Sequence, residues 1–453
     1  MQKILVIGAG RSATSLIHHL TSHADASERR VTVADRELRL AEAAVADAPG
    51  VGQAVALDAG NAGERRALIA EHDLVVSMLP ASMHMDVVRD CIALGRHVLT
   101  PSYVPDEMWA LDAEAKAAGI VILNELGLDP GIDHMSAMRI LDTIRSEGGI
   151  MRSFKSYTGG LIAPESDDNP WGYKFTWNPR NVVLAGQGGA ARFIEDGRYR
   201  YIPYHRLFSR TVRIDVPGYG VFDGYANRDS LKYRKLYGLD DIPTLVRGTL
   251  RKEGFCAAWD VFVQLGCTDD SYRMETPPDM SCADYFDAFL PPTPEKDLRT
   301  RMADHLRLDP AGPTMEKLDW LGVFSTERTG ITDASPARIL QELLERKWVL
   351  RPTDKDMIVM QHVFHYTLNS KELCLRSSLV VEGIDQTRTA MARTVGLPLA
   401  IAALAVLDGR IGSRGVLMPL TPEFYDPILD ELAELGIAFQ EKITPAADQR
   451  SGG

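Results

Sequence analysis

Residues 3–20 begin as an apolar run, Lys3-Ile-Leu-Val-Ile, and break at Gly8-Ala-Gly10-Arg11-Ser12-Ala13. They continue with Ala13, Leu16, Ile17 and Leu20 at helical spacing. A strand, a glycine turn and an amphipathic helix in that order leave few folds open. Gly8 permits the sharp exit from the strand, Gly10 keeps the backbone bare, and Ala13 lets the helix lie close to the sheet. Unpaired N–H groups at such a helix start, with the positive end of its dipole, attract phosphate. Arg30-Val-Thr-Val-Ala-Asp35 supplies a second strand ending in an acid, at the place where a dinucleotide's ribose needs one. Arg11, Ser12 and Arg36 flank these turns, and Leu79-Pro80 and His84 follow a further strand end. Together they form the expected site for a nicotinamide dinucleotide, NAD or NADP. The competing reading is a glycine turn in an α/β domain that binds no nucleotide.

Strand-like runs at 3–8, 31–35, 54–58, 73–79, 97–100 and 120–124 alternate with helical segments such as His84 to Leu94 and Pro105 to Ala118. That alternation implies an α/β domain with a Rossmann-type, doubly wound parallel sheet over 1–128. From 129 the texture changes to β-branched and aromatic runs, among them Ser153 to Gly160, Val182 to Leu184, Arg210 to Val216, Asp356 to Leu368 and Leu373 to Glu382. They suggest an α+β domain over 129–230 and 350–392. The stretch 231–349 reads as a helical insertion, with helices expected at Ile242 to Lys252, Cys256 to Leu265 and Pro336 to Glu345. Ser335 is the expected cap of the last. Thr387 to Leu407 reads as a long apolar helix. Val416 to Met418, Tyr425 to Leu435 and Ile437 to Lys442 form a further α/β unit, and the tail from Ala446 is expected to fray.

With 453 residues the chain exceeds one ordinary core. A net charge of −12 argues against nucleic acid or an anionic membrane as partner. No apolar run is expected to reach the ~18 residues of a membrane span. Five scattered cysteines without a C-x-x-C pair suit a reducing cytoplasm, and argue against a disulfide framework or a bound metal.

Four segments are dense in groups that a site for a small molecule uses. Ser102-Tyr103 follows the strand-like run His97 to Thr100, at the end of the sheet where ligands bind. Asn124-Glu-Leu-Gly-Leu-Asp129-Pro-Gly-Ile-Asp133-His134 combines a strand end, a turn and a helix start. Tyr157-Thr158-Gly-Gly160 is followed by Asp168-Asn-Pro-Trp171-Gly-Tyr173-Lys174-Phe-Thr-Trp177, and Tyr225-Ala-Asn227-Arg228-Asp229-Ser230 sets a guanidinium among hydrogen-bonding groups. Each has a plainer reading: Asp133 as a helix cap, Asp129 as a turn former, the aromatics as packing, Arg228 as a surface ion pair.

These phrases, with Arg247-Gly-Thr-Leu250, Met357-Ile-Val-Met360-Gln-His362 and Met391-Ala-Arg-Thr-Val-Gly396, resemble the saccharopine dehydrogenase (L-glutamate-forming), or saccharopine reductase, family almost from end to end. The resemblance implies that a C-terminal segment, about 393–445, completes the Rossmann domain, and that the α+β domain binds substrate and forms a homodimer. It also implies reversible oxidative cleavage of saccharopine to glutamate and 2-aminoadipate 6-semialdehyde through an imine. Two departures from the fungal members stand out. Their strand-end Cys-Arg is Asp35-Arg36 here, which favours NAD, and their cysteine in the Ser-Tyr-Cys-Gly-Gly phrase is Thr158.

Oxidising a secondary amine needs a neutral nitrogen, held carboxylates and one group that moves protons. Lys174 and Arg228 are the expected carboxylate ligands, joined by Asn227, Ser102 and the helix start at Asp133. Asp129 is the candidate acid/base, Tyr103 its hydrogen-bonding partner, and Thr158 stands where the fungal thiol does. Two rivals remain open: a carboxynorspermidine-type amine dehydrogenase, and a nucleotide-binding scaffold without catalysis.

Overall fold

The computed structural model describes residues 1–23, 28–293 and 296–446; the tail expected to fray lies almost wholly outside them. The chain divides into two compact units, Met1–Ile150 with Leu379–Gln440, and Met151–Ser378 with the segment that begins at Glu441.

In the first unit seven strands of the described residues form one parallel sheet. Their spatial order is Gly415–Leu417, Val121–Leu123, His97–Leu99, Leu74–Ser77, Gln2–Ile7, Arg29–Asp35, Gly52–Ala56. Unbroken apolar runs mark strands covered on both faces, and Ile4, Leu5, Val6, Leu74, Val75 and Val76 are each fully buried. The order in which successive strands are added reverses beside Gln2–Ile7, the switch point at which open α/β sheets bind ligands. Gly415–Leu417 joins this sheet at its edge, parallel to Val121–Leu123.

The helix Ala390–Leu407 corrects one expectation. It has 18 residues at a mean hydropathy of 1.9, long and apolar enough to cross a membrane, yet 78% of it is buried within the protein. It packs on the helix Thr14–Ser22. At Gly396 a Cβ would stand 2.7 Å from the Leu16 nitrogen, so the two backbones nearly touch and only glycine fits. A helix surrounded in this way is apolar all round because it is core.

The second sheet has nine described strands. Seven lie in the order Val212–Val216, Gly220–Ala226, Thr244–Lys252, Ile150–Ile162, Asp356–Leu368, Lys371–Glu382, Gln440–Pro445, and the hairpin Ala191–Glu195 with Arg198–Ile202 joins at Thr244–Lys252. Three sequence expectations fail here. Thr244–Lys252 is a strand, not the helix expected over Ile242 to Lys252. It runs parallel to Ile150–Ile162 and antiparallel to Gly220–Ala226, and pairing on both sides overrides its local helical spacing. Gly248 serves that position, because a Cβ there would lie 2.4 Å from the Tyr157 ring. Val182 and Val183 belong to the short helix Pro179–Val183, capped by Asn178, instead of a strand. The last strand, Gln440–Pro445, joins this second sheet instead of the first.

Other helices follow their sequence signals. Phe255–Leu265 forms, and Pro336–Lys347 begins with the Ser335 side chain accepting from the Arg338 N–H. The aromatics around Trp171 are packing, in line with their plainer reading. Trp171 and Tyr173 sit edge-on to Trp348 at 5.3 and 5.0 Å between ring centroids, and the Trp171 Nε1–H donates to the Lys317 carbonyl at 2.8 Å.

Candidate functional site

The first unit carries a constellation at the carboxyl ends of its parallel strands. Gly8 turns the chain at φ +105°, where a Cβ would also crowd the Met78 carbonyl at 3.0 Å. Gly10 differs: its φ is −70° and a Cβ would meet nothing within 4 Å. Nothing among the described residues requires glycine at position 10, whereas a phosphate drawn close to the backbone does. Arg11 is exposed and Ser12 half-buried, and Ala13 is buried against the sheet. The Asp35 carboxylate accepts from the Ala9 N–H at 2.8 Å and from the Glu37 N–H at 2.9 Å. It therefore clamps the glycine turn to the second strand, a task the sequence did not reveal. Arg36 next to it is exposed. Leu79 is half-buried and Pro80 exposed, directly after the strand Leu74–Ser77.

His84 does not lie open to a ligand as expected. Its Nδ1 meets the Ser77 hydroxyl at 2.9 Å, and its Nε2 meets the hydroxyls of Ser102 at 2.8 Å and Thr100 at 3.0 Å. Burial lowers its pKa to about 4, so the ring is neutral and ties two neighbouring strand ends together. Ser102 is correspondingly engaged by His84.

Tyr103 and Asp129 do come together: the Tyr103 hydroxyl donates to Asp129 Oδ1 at 3.1 Å, and both side chains are half-buried. Around them runs a buried polar chain that sequence reasoning passed over. Glu125, fully buried at φ +56°, accepts from the Val104 N–H at 3.0 Å with one oxygen and meets His134 Nε2 at 2.7 Å with the other. His134 Nδ1 lies 3.6 Å from Asp133, whose other oxygen accepts from the Gly131 N–H at 2.7 Å. Asp133 is thus buried in the first turn of its helix, Ile132–Ser146, and holds the turn at Gly131 that precedes it, without capping the helix. That argues against the substrate contact expected of it.

In the second unit Lys174 is committed elsewhere. Its ammonium, buried with the rest of the side chain, lies 2.7 Å from Asp354 and 2.8 Å from Asp168, and Arg351 contacts both acids. Burial by itself pushes the Asp354 carboxyl up, yet hydrogen bonds from Lys174 and Arg351 outweigh it and hold the group below its ordinary value. A cation shared by two carboxylates has little charge to offer a substrate, which overturns the role expected of Lys174.

Arg228 is exposed, with a left-handed backbone at φ +45°, a conformation that costs a non-glycine residue about 1–3 kcal/mol and is tolerated where the surroundings enforce it. The turn is clamped on both sides. The Arg192 N–H donates to the Arg228 carbonyl at 2.7 Å, the Asn227 N–H donates to the Arg247 carbonyl at 2.8 Å, and Ser230 Oγ accepts from the Arg247 N–H at 2.9 Å. Thr158 is buried on the strand Ile150–Ile162, and its hydroxyl has no hydrogen-bond partner among the described residues.

Residues 4–123 match the family described as saccharopine dehydrogenase NADP binding domain, and residues 127–437 match the saccharopine dehydrogenase C-terminal domain. The chain is 33% identical to the saccharopine dehydrogenase [NADP(+), L-glutamate-forming] of Schizosaccharomyces pombe, over 98% of this chain and 99% of that one. It is 34% identical to the Arabidopsis thaliana alpha-aminoadipic semialdehyde synthase over 97% of this chain, which corresponds to 44% of that longer protein. The solved apo saccharopine dehydrogenase (L-Glu forming) of Saccharomyces cerevisiae superposes with a TM-score of 0.88 at 33% identity, covering 98% of this chain and 100% of that one. Matched in both halves by sequence and throughout by fold, this chain belongs to the saccharopine dehydrogenase family.

Proposed function

We propose that the protein oxidatively cleaves saccharopine to L-glutamate and 2-aminoadipate 6-semialdehyde, reversibly, by way of an imine and with a nicotinamide dinucleotide. The observation that carries this reading is family likeness over 98% of the chain to a glutamate-forming enzyme. The Gly8–Ala13 turn and the helix start behind it would hold the pyrophosphate through backbone N–H groups. The dinucleotide, when bound, supplies the acceptor for hydride. Asp129 takes the proton that must leave the substrate's secondary ammonium before oxidation and returns one in the reverse direction. Tyr103, donating to Asp129, keeps that carboxylate aimed. Arg228 binds a substrate carboxylate by a charge-assisted pair, aided by Asn227, and Thr158 contributes a hydroxyl without acid/base duty.

Asp35 favours NAD over the NADP+ of the relatives' names, because its carboxylate sets charge against a ribose 2′-phosphate while still accepting from ribose hydroxyls. The five cysteines, all unbridged and buried, support a reducing compartment such as the cytoplasm. A homodimer is part of the same proposal, on family likeness alone. Against a carboxynorspermidine-type substrate stands the state of Asp168 and Asp354, which Lys174 and Arg351 already neutralise, leaving no free acidic pair there for a diamine. Steady-state absorbance of the reduced nicotinamide, with saccharopine or carboxynorspermidine and with NAD or NADP, tests the proposal. Turnover of saccharopine supports it, and turnover of carboxynorspermidine alone refutes it.

A further inference from the structure

Two residues after the strand Val121–Leu123 stands a buried acid with an uncommon backbone. Glu125 is 0% exposed and sits at φ +56°, in the left-handed region that a non-glycine residue keeps only where its surroundings enforce it. A buried carboxylate is costly unless donors surround it, and an apolar side chain would fill the same space without that cost. What the carboxylate adds is two acceptor oxygens held apart on one planar group.

Those oxygens join two particular segments. On one side Glu125 grips both peptide groups that flank Tyr103. Its own N–H donates to the Ser102 carbonyl at 3.1 Å, and one carboxylate oxygen accepts from the Val104 N–H at 3.0 Å. On the other side its second oxygen meets His134 Nε2 at 2.7 Å. His134, also fully buried, lies in the first turn of the helix Ile132–Ser146, and that turn is tied to the loop carrying Asp129. The Asp133 N–H donates to the Leu128 carbonyl at 3.1 Å, the Ile132 N–H to the Gly127 carbonyl at 2.9 Å, and the Gly127 N–H to the Pro130 carbonyl at 2.8 Å. The Asp133 carboxylate accepts from the Gly131 N–H at 2.7 Å. One buried side chain thus connects the segment of Tyr103 to the segment of Asp129, and the Tyr103 hydroxyl reaches Asp129 Oδ1 at 3.1 Å.

We propose that Glu125, anchored by His134, is a positioning residue: it fixes the Tyr103 hydroxyl on the Asp129 carboxylate and touches neither substrate nor coenzyme. The inference rests on the proton role given to Asp129 in the saccharopine reading, and it names what holds that group in place. Misplacing a reacting group by about 1 Å costs up to roughly a hundredfold in rate, so a clamp of this kind acts on turnover without meeting a ligand.

The experiment measures saccharopine kinetics, dinucleotide binding by fluorescence, and backbone hydrogen exchange of the ligand-free protein. Wild type, Glu125→Ala and Glu125→Gln are compared, each with and without Tyr103→Phe. Glu125→Ala should lower kcat about ten- to hundredfold and leave the Kd of the dinucleotide within a few-fold. In the Tyr103→Phe background, with no hydroxyl left to aim, the same change should cost only a few-fold, whereas independent effects would multiply. Glu125→Gln keeps an oxygen for the Val104 N–H and offers an amide donor to the other tautomer of His134, so turnover should recover to within a few-fold. Unchanged kcat in Glu125→Ala, equal losses in both backgrounds, or a glutamine variant as slow as the alanine one would overturn the inference. Should Glu125→Ala fail to fold, Glu125→Asp takes its place under the same criteria, since it keeps the charge but is one methylene too short to reach Val104 and His134 together. In either variant, exchange over 102–104 and over 127–131 should quicken together, and unchanged exchange there refutes the clamp. If the wild type does not turn over saccharopine, the dehydrogenase reading falls while hydrogen exchange still judges Glu125.

Discussion

Replacing Lys174 with methionine separates a structural cation from a substrate ligand. The side chain is 4% exposed and bridges Asp354, itself 5% exposed, and the half-exposed Asp168. Removing one partner from a buried ion pair costs about 3–5 kcal/mol, because the other charge is left in a poor solvent. Two features move this case to the lower end. Arg351 stays beside Asp354 at 3.3 Å, although its own 57% exposure screens that contact, and methionine keeps most of the apolar stem in place. The expected loss is therefore about 3 kcal/mol, read as a lowered midpoint in urea unfolding at neutral pH. The pH dependence follows from the depressed Asp354 carboxyl. Its contribution is present above the ordinary carboxylate value of about 4 and is lost as pH falls through the lower folded value. The gap between wild type and Lys174→Met should thus narrow in acid. The KM for saccharopine should stay within a few-fold. Unchanged stability with a KM raised more than tenfold would refute this reasoning and return Lys174 to the substrate.

Further outcomes follow from the same geometry. Asp129→Asn should cut turnover roughly a hundredfold, the usual scale for a positioned acid/base, while Thr158→Ala costs much less in kcat; the reverse ranking in steady-state assays would transfer the proton role. Asp35→Ser should shift the ratio of catalytic efficiencies toward NADP and weaken binding of NAD, since the clamp on the Ala9 N–H goes with the carboxylate; an unchanged ratio would remove Asp35 from coenzyme choice. His84, lowered by burial from 6.5 to about 4, binds its proton only in the unfolded chain between those values. Stability should therefore decline as pH drops from 6.5 to about 4, by up to roughly 3 kcal/mol from this group, and denaturant titrations of His84→Gln should show a shallower decline.

The glycine turn at Gly8–Ala13 was legible because all its requirements are local: a strand, a φ that glycine permits and a helix stripe. Tyr103 and Asp129 were legible because each follows a strand of the same parallel sheet, and strand ends in such sheets gather. Lys174 was not, since its acid Asp354 lies 180 residues away and no local pattern links them. The same holds for His84, whose three hydroxyl partners come from two strand ends, Ser77 from one and Thr100 and Ser102 from the other. The place of Thr249 was hidden by reading Ile242 to Lys252 as a helix, where Thr244–Lys252 is a strand. Only as a strand does that segment share a face with Thr158 and Tyr225. Asp133 fits neither of its readings: Gly131 is the N-cap of the helix, and the Asp133 carboxylate inside the first turn accepts from the Gly131 N–H.

The central claim concerns which carbon–nitrogen bond is cut, and an isotope settles it directly. Saccharopine carrying a heavy nitrogen at its secondary amine is incubated with the enzyme and a nicotinamide dinucleotide, and the products are weighed by mass spectrometry. Cleavage on the side proposed here leaves the heavy nitrogen in glutamate, with an unlabelled semialdehyde as the other product. Heavy nitrogen appearing in lysine, with 2-oxoglutarate beside it, would contradict the account.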